Sequence, residues 1–270
     1  MRRIGTALVT GASSGIGVEF ARQLAQRRCS VVLVARRTER LEQLAAELRS
    51  RHGVTCEVIA ADLTADDDLA RVEERLRDPE RPVDLLVNNA GVAFGGPVVK
   101  TSAEEHDTLL RLNVRTPVLL ARAAAETMAG RGGGAVINVA SMAGMIPGAP
   151  YSAAYAASKA HLLSFTQALA TEARSRGVRV VALCPGYVRT EMTEGVQAAG
   201  LPGVVWVPVE RVVRESLRAL ATGRTVVVPG LQYKAVHALA EALPTPVLRA
   251  LLARTIGRVR NDALGKPQGG

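Results

Sequence analysis

Seven short apolar runs punctuate the chain, at residues 4–9, 30–35, 54–60, 83–87, 135–140, 178–183 and 225–228. They hold Val, Ile, Leu and Ala at consecutive positions, the pattern of strands covered on both faces rather than strands with one face in water. Between them the apolar residues fall at helical spacing: Leu41, Leu44, Ala45 and Leu48 within 38–51, and Leu162, Phe165 and Leu169 within 153–174. A further long helical segment is predicted over 102–129. Strand and helix alternate, so right-handed βαβ crossovers should join the strands into one doubly wound, parallel, seven-stranded α/β sheet with helices on both faces. In such sheets ligands bind beyond the carboxyl ends of the strands, which directs the search for chemistry to the places where each apolar run stops.

After Pro229 the character of the chain changes. Segments 231–243 and 246–260 read as helices, and the second is amphipathic and basic, with Arg249, Arg254, Arg258 and Arg260 set among Leu248, Leu251, Leu252 and Ile256. Such a helix most simply docks on the domain with its arginines in water, while 261–270 has little to bury and should fray. No repeat or low-complexity linker interrupts the chain. One domain is therefore expected, with residues 1–230 carrying the sheet and its chemistry and 231–270 forming a helical extension packed on it. The apolar run behind Met1-Arg2-Arg3 is cut short at Thr10-Gly11, and no run reaches the roughly 20 residues that cross a bilayer. No integral membrane segment is expected, and the cytoplasm is the expected location.

Composition sharpens this picture only in part. Apolar residues make up 48% of the chain but aromatic ones only 3%, which suits aliphatic strands under Ala-rich helices better than an aromatic-anchored sandwich. A net charge of +9 would suit nucleic acid, an anionic membrane or a phosphate-bearing small molecule. No basic stripe studded with aromatic residues accompanies it, so no nucleic-acid partner is expected. All but four of the 34 basic residues are arginines, which makes each lysine a position of interest. Cys29, Cys56 and Cys184 form no CxxC pair and read as buried thiols; His52, His106, His161 and His237 show no ligand spacing, and no metal is expected.

The first apolar run ends in Thr10-Gly11-Ala12-Ser13-Ser14-Gly15-Ile16-Gly17, directly before a helical stretch. Glycines there let the backbone approach a pyrophosphate, and the helix N-terminus offers free N–H groups to the anion. At the end of the second run stand Arg36 and Arg37, where a carboxylate would have bound free ribose hydroxyls. Two guanidiniums suit a 2′-phosphate instead, with Ser13 as an added hydroxyl, so NADP(H) is the expected cofactor. The spacing of the turn resembles the TGxxxGIG signature of the short-chain dehydrogenase/reductase family, which has a Rossmann-type fold. Over residues 4–230 other pieces match in order: Asp62-Leu63 resembles the adenine-contacting segment, Asn88-Asn89-Ala90-Gly91 the NNAG motif, and Pro185-Gly186 the segment after the sixth strand. The resemblance implies nucleotide contacts from Gly11, Ser13, Ser14, Gly15, Ile16, Gly17, Asp62, Leu63, Asn89, Ala90, Gly91, Pro185 and Gly186, and nicotinamide contacts from Val188 and Thr190.

Tyr155 and Lys159 lie four apart on a predicted helix and so share a face. A phenol can protonate a carbonyl oxygen as hydride arrives, and a nearby ammonium should lower its pKa from about 10. The resemblance adds that Lys159 holds the nicotinamide ribose. Ser141, at the end of the fifth run, could bond the substrate oxygen, although it precedes Tyr155 by fourteen residues rather than the family's usual thirteen or so. Asn113 resembles the family asparagine that kinks its helix and orders a water against the lysine.

The expected function is NADP(H)-dependent hydride transfer between nicotinamide and a carbonyl/secondary alcohol pair, with a hydrophobic ketone or an oxoacyl compound as substrate. Specificity should come from 191–209, where Met192, Leu201, Val204, Val205 and Trp206 are apolar, and from the tail. Two rivals keep the same fold: a catalytically silent NADP-sensing regulator and a protein that binds anionic surfaces through its charge. The Ala-rich helices suggest a homodimer or homotetramer.

Overall fold

A computed structural model describes residues 4–94, 96–146 and 151–242. The helix expected at 246–260 and the fraying end lie outside the described residues. Seven strands, β1 (Thr6–Thr10), β2 (Ser30–Ala35), β3 (Cys56–Ala60), β4 (Leu85–Asn88), β5 (Gly134–Val139), β6 (Val178–Leu183) and β7 (Val226–Val227), form one parallel sheet in the order β3-β2-β1-β4-β5-β6-β7. Each predicted run became a strand, though several are shorter than their apolar stretch. Val54 and Val83 are buried outside β3 and β4, because apolar loop residues fill the core's rim as readily as strand residues do.

The helices are α1 (Gly15–Gln26), α2 (Thr38–His52), α3 (Asp66–Arg77), α4 (Ala103–Leu110), α5 (Thr116–Gly130), α6 (Ala153–Ala173), α7 (Glu194–Ala198), α8 (Val209–Thr222) and α9 (Leu231–Ala242). Their ends carry local signals. Ser102 and Glu105 form a reciprocal capping box on α4. Asp66, Asp67 and Asp68 occupy the first turn of α3, where the helix dipole favours negative charge.

Alternate residues of β1 and β2 feed two separate cores. Ala7, Val9, Val31 and Leu33 pack with Phe20, Leu24, Leu41, Val212 and Leu220 of α1, α2 and α8. Leu8, Val32 and Val34 pack with Leu69, Val72, Leu120 and Ala124 of α3 and α5 on the other face. This double coverage explains why the strands read as unbroken apolar runs.

The segment predicted as one helix over 102–129 is α4 and α5 joined by a π-helical turn, Arg111–Arg115, which carries Asn113. A π-turn inserts an extra residue into the ladder, and here it turns the Asn113 side chain inward, to 1% exposure. Strand order reverses between β1 and β4, so the crevice expected for a ligand opens above Gly11 and Asn89. Among the described residues, no helix is long and apolar enough to cross a membrane.

Candidate active site

The turn after β1 is built for close approach. Gly11 takes a left-handed φ of +64°, and a Cβ on Gly17 would stand 2.2 Å from the Gly11 carbonyl oxygen. The turn is braced by β4: the Asn89 side-chain amide donates to the Thr10 carbonyl at 3.0 Å, and the Thr10 hydroxyl accepts from the backbone N–H groups of Asn89 and Ala90. Ser14 takes the N-cap position of α1, yet its hydroxyl makes no capping bond to the first-turn N–H groups. These features fit a dinucleotide pyrophosphate.

Beside this turn lies the arginine pair. Arg37 reaches back over it and donates to the Ser13 hydroxyl at 3.0 and 3.1 Å. Arg36 is largely exposed and lies 3.8 Å from the Asp62 carboxylate. Asp62 also accepts from the Thr64 N–H and hydroxyl, which fixes it at the carboxyl end of β3. Leu63 is buried in the core under α3 and α5, with its carbonyl held by the Thr116 hydroxyl at 2.7 Å.

The proposed chemical group assembles across β4, β5 and α6. Lys159, 5% exposed, donates to the Val139 carbonyl at 2.8 Å, and its ammonium stands 5.7 Å from the centre of the Tyr155 ring. A Cβ on Gly91 would lie 3.5 Å from that ammonium and 3.1 Å from the Asn113 side-chain oxygen, so the NNAG segment borders both. Asn113 bonds the Val92 backbone in both directions, at 2.9 and 2.8 Å, and donates to the Ser158 hydroxyl at 3.2 Å. Ser141 begins a tight turn, Met142–Gly144, where its hydroxyl accepts from the Ala143 N–H and also hydrogen-bonds the Tyr155 phenol.

Electrostatics depart from the sequence expectation at one point. Burial pushes the Tyr155 phenol above its ordinary value, and the Ser141 hydrogen bond only partly opposes it. The cation expected to pull it down is itself desolvated: burial brings Lys159 down to about 8. Loss of water disfavours both charged forms and is the largest influence on each group. At neutral pH Tyr155 is therefore a phenol, the proton-donating form, and Lys159 is mostly charged. Cys184, whose thiol accepts from the Ser141 N–H, is pushed up to about 12 by burial and stays neutral.

The segment after β6 folds over the turn after β1. Thr190 lies against Gly15, while Val188 is 3% exposed and belongs to the core, with its carbonyl accepting from the Thr193 hydroxyl. Of the apolar residues expected around a substrate, Met192 and Val204 are exposed, whereas Trp206 is buried beneath Tyr187 and the Arg189 guanidinium.

Sequence reasoning missed Tyr233 of α9. Its ring fills the space above Gly186, where a Cβ would come within 2.0 Å of it. Its hydroxyl accepts from the Tyr187 N–H at 3.0 Å and donates to the Val205 carbonyl at 2.8 Å. No local motif announces such a residue; its only signal is an aromatic side chain in a chain poor in them.

Comparison with known proteins agrees with this geometry. A family model described as short chain dehydrogenase matches residues 5–200. Oxidoreductase UcpA of Salmonella typhimurium is 36% identical over 197 residues, 73% of this chain and 74% of that protein. A short-chain dehydrogenase from Sphingobium yanoikuyae, solved in complex with NADPH, superposes with a TM-score of 0.80 at 37% identity, covering 88% of this chain and 94% of that one. A bulky-bulky ketone specific alcohol dehydrogenase from Comamonas testosteroni gives a TM-score of 0.77 at 34% identity, covering 89% and 95%. With its glycine turn, its NNAG segment and its Tyr155–Lys159 pair gathered at the carboxyl ends of the central strands, the chain belongs to the short-chain dehydrogenase family of oxidoreductases.

Proposed function

We propose that the protein is an NADP(H)-dependent carbonyl reductase acting on hydrophobic ketones or oxoacyl compounds. The observation that carries this reading is the placement of Tyr155 and Lys159 one turn apart on α6, with Ser141 bonded to the phenol and Asn113 anchored beside the lysine. Bound nicotinamide would supply the hydride. Tyr155 then donates its proton to the carbonyl oxygen, which the Ser141 hydroxyl holds in place. Lys159 would hold the ribose of a bound nicotinamide nucleotide and, with Asn113, return a proton towards Tyr155. The intact acid and its partners favour an enzyme over a silent nucleotide sensor. Arg22, Arg77, Arg111, Arg115 and Arg211 each lie within 3 Å of a carboxylate, so these five side chains are ion-paired within the protein itself. The solved relatives, one with NADPH and one named for bulky ketones, support the cofactor and substrate class.

Following NADPH absorbance across a panel of ketones, aldehydes and oxoacyl thioesters tests the reading directly. Turnover should be strongest on bulky apolar ketones or thioesters, and no turnover across the whole panel would defeat it. Arg37→Ala should weaken NADPH binding by about tenfold or more, because a charge-assisted pair to the phosphate is lost, and leave NADH binding unchanged. Equal loss for both nucleotides would remove the phosphate role of Arg37.

Lys159 also sets a pH dependence. A nucleotide that favours the charged ammonium binds with constant affinity below about pH 8, where the amine is already protonated. Above that value, protonation must accompany binding, and affinity should fall by up to about tenfold per pH unit. Fluorescence titrations from acid to alkaline pH measure this; affinity that stays flat well above pH 8 would exclude the lysine from ribose binding.

A further inference from the structure

Arg37 serves two partners. While two of its nitrogens hold Ser13, the third donates to the Glu191 carboxylate at 2.8 Å. Arg40, on the first turn of α2, donates to the other oxygen of the same carboxylate. Glu191 directly follows Thr190 and opens the short turn Glu191–Thr193 that leads into α7. The hydrogen bonds from Arg37 and Arg40 hold the Glu191 carboxyl below the usual carboxylate range, so it is an anion throughout the physiological pH range. One carboxylate thus takes the guanidinium that a 2′-phosphate would need, at the mouth of the same turn.

We infer that Glu191 is a specificity-determining residue, the competing anion of the arginine site, which restrains the preference for a phosphate-bearing nucleotide that Arg37 creates. The inference rests on the NADP(H) reading above and deepens it. A 2′-phosphate, with more than one negative charge near neutral pH, must either displace Glu191 from Arg37 or stand beside it. NAD(H) brings only a ribose hydroxyl and meets no such repulsion. Neutralising Glu191 therefore favours one nucleotide alone, whereas a residue that merely braced the loop would affect both. The side chains of Arg37, Arg40 and Glu191 are 41%, 48% and 46% exposed, so the effect is modest and sensitive to salt.

The test is to titrate the full chain with NADPH and with NADH, as wild type, as Glu191→Gln and as Arg37→Ala, at low and high salt. Glu191→Gln should tighten NADPH about two- to fivefold, leave NADH unchanged, and show less gain at high salt. Tighter or weaker binding of both nucleotides in parallel, or weaker NADPH binding alone, would overturn the inference. Two failures are distinguishable. If the wild type prefers NADPH and Arg37→Ala abolishes the preference while Glu191→Gln leaves the ratio untouched, the Glu191 role falls alone. If the wild type shows no preference and Arg37→Ala changes nothing, the cofactor reading falls and takes this inference with it.

Discussion

Tyr155→Phe should lower kcat by about 10²- to 10⁴-fold, the usual contribution of a positioned acid, while nucleotide affinity stays within about twofold of the wild type. The substitution keeps the ring that faces the Lys159 ammonium and removes only the hydroxyl that bonds Ser141. Because Lys159 retains its bond to the Val139 carbonyl, the nucleotide side of the site is left standing. Steady-state rates, nucleotide titration and a melting curve on the same preparation separate the possibilities. A Phe variant that turns over at the wild-type rate would place the proton source elsewhere, and loss of nucleotide binding with an unchanged melting temperature would make Tyr155 a binding residue first.

Gly17→Ala should damage both stability and nucleotide binding. The added methyl would meet the Gly11 carbonyl oxygen at 2.2 Å and the Asn89 amide at 2.7 Å, so the turn or the first residues of α1 must move. Overpacking of this kind costs about 1–3 kcal/mol, roughly 2–12 °C in Tm for a chain of this size. The displaced backbone is the same backbone that would cradle the pyrophosphate, so nucleotide affinity should fall together with Tm. If the variant melts like the wild type and binds nucleotide equally well, the turn is more plastic than its contacts indicate.

Legibility in the sequence followed the range of the interactions. Strands β1 to β7 could be read because each lies in an apolar run, most of them covered on both faces, and helices such as α2 because Leu41, Leu44 and Leu48 repeat along one side. The glycine turn and the Tyr155–Lys159 pair are local patterns and were equally plain. Strand ends were less so, since apolar residues such as Val54 serve the core's rim without pairing. Contacts between distant segments left no local trace. Arg37 and Glu191 are 154 residues apart, and Tyr187 and Tyr233 are 46 apart. The pKa of Tyr155 was misjudged for a related reason: spacing along a helix shows which groups are neighbours but not how much water they lose.

The clamp made by Tyr233 bears on how such enzymes can be re-engineered. The match to the family model stops at residue 200, yet a side chain well beyond it props the backbone at Gly186 and Tyr187 and fastens it to Val205. A chimera that imported a foreign loop between β6 and α8 but kept this α9, or the reverse, would set a tyrosine against the wrong floor. The two stretches are best exchanged together, as a single cassette.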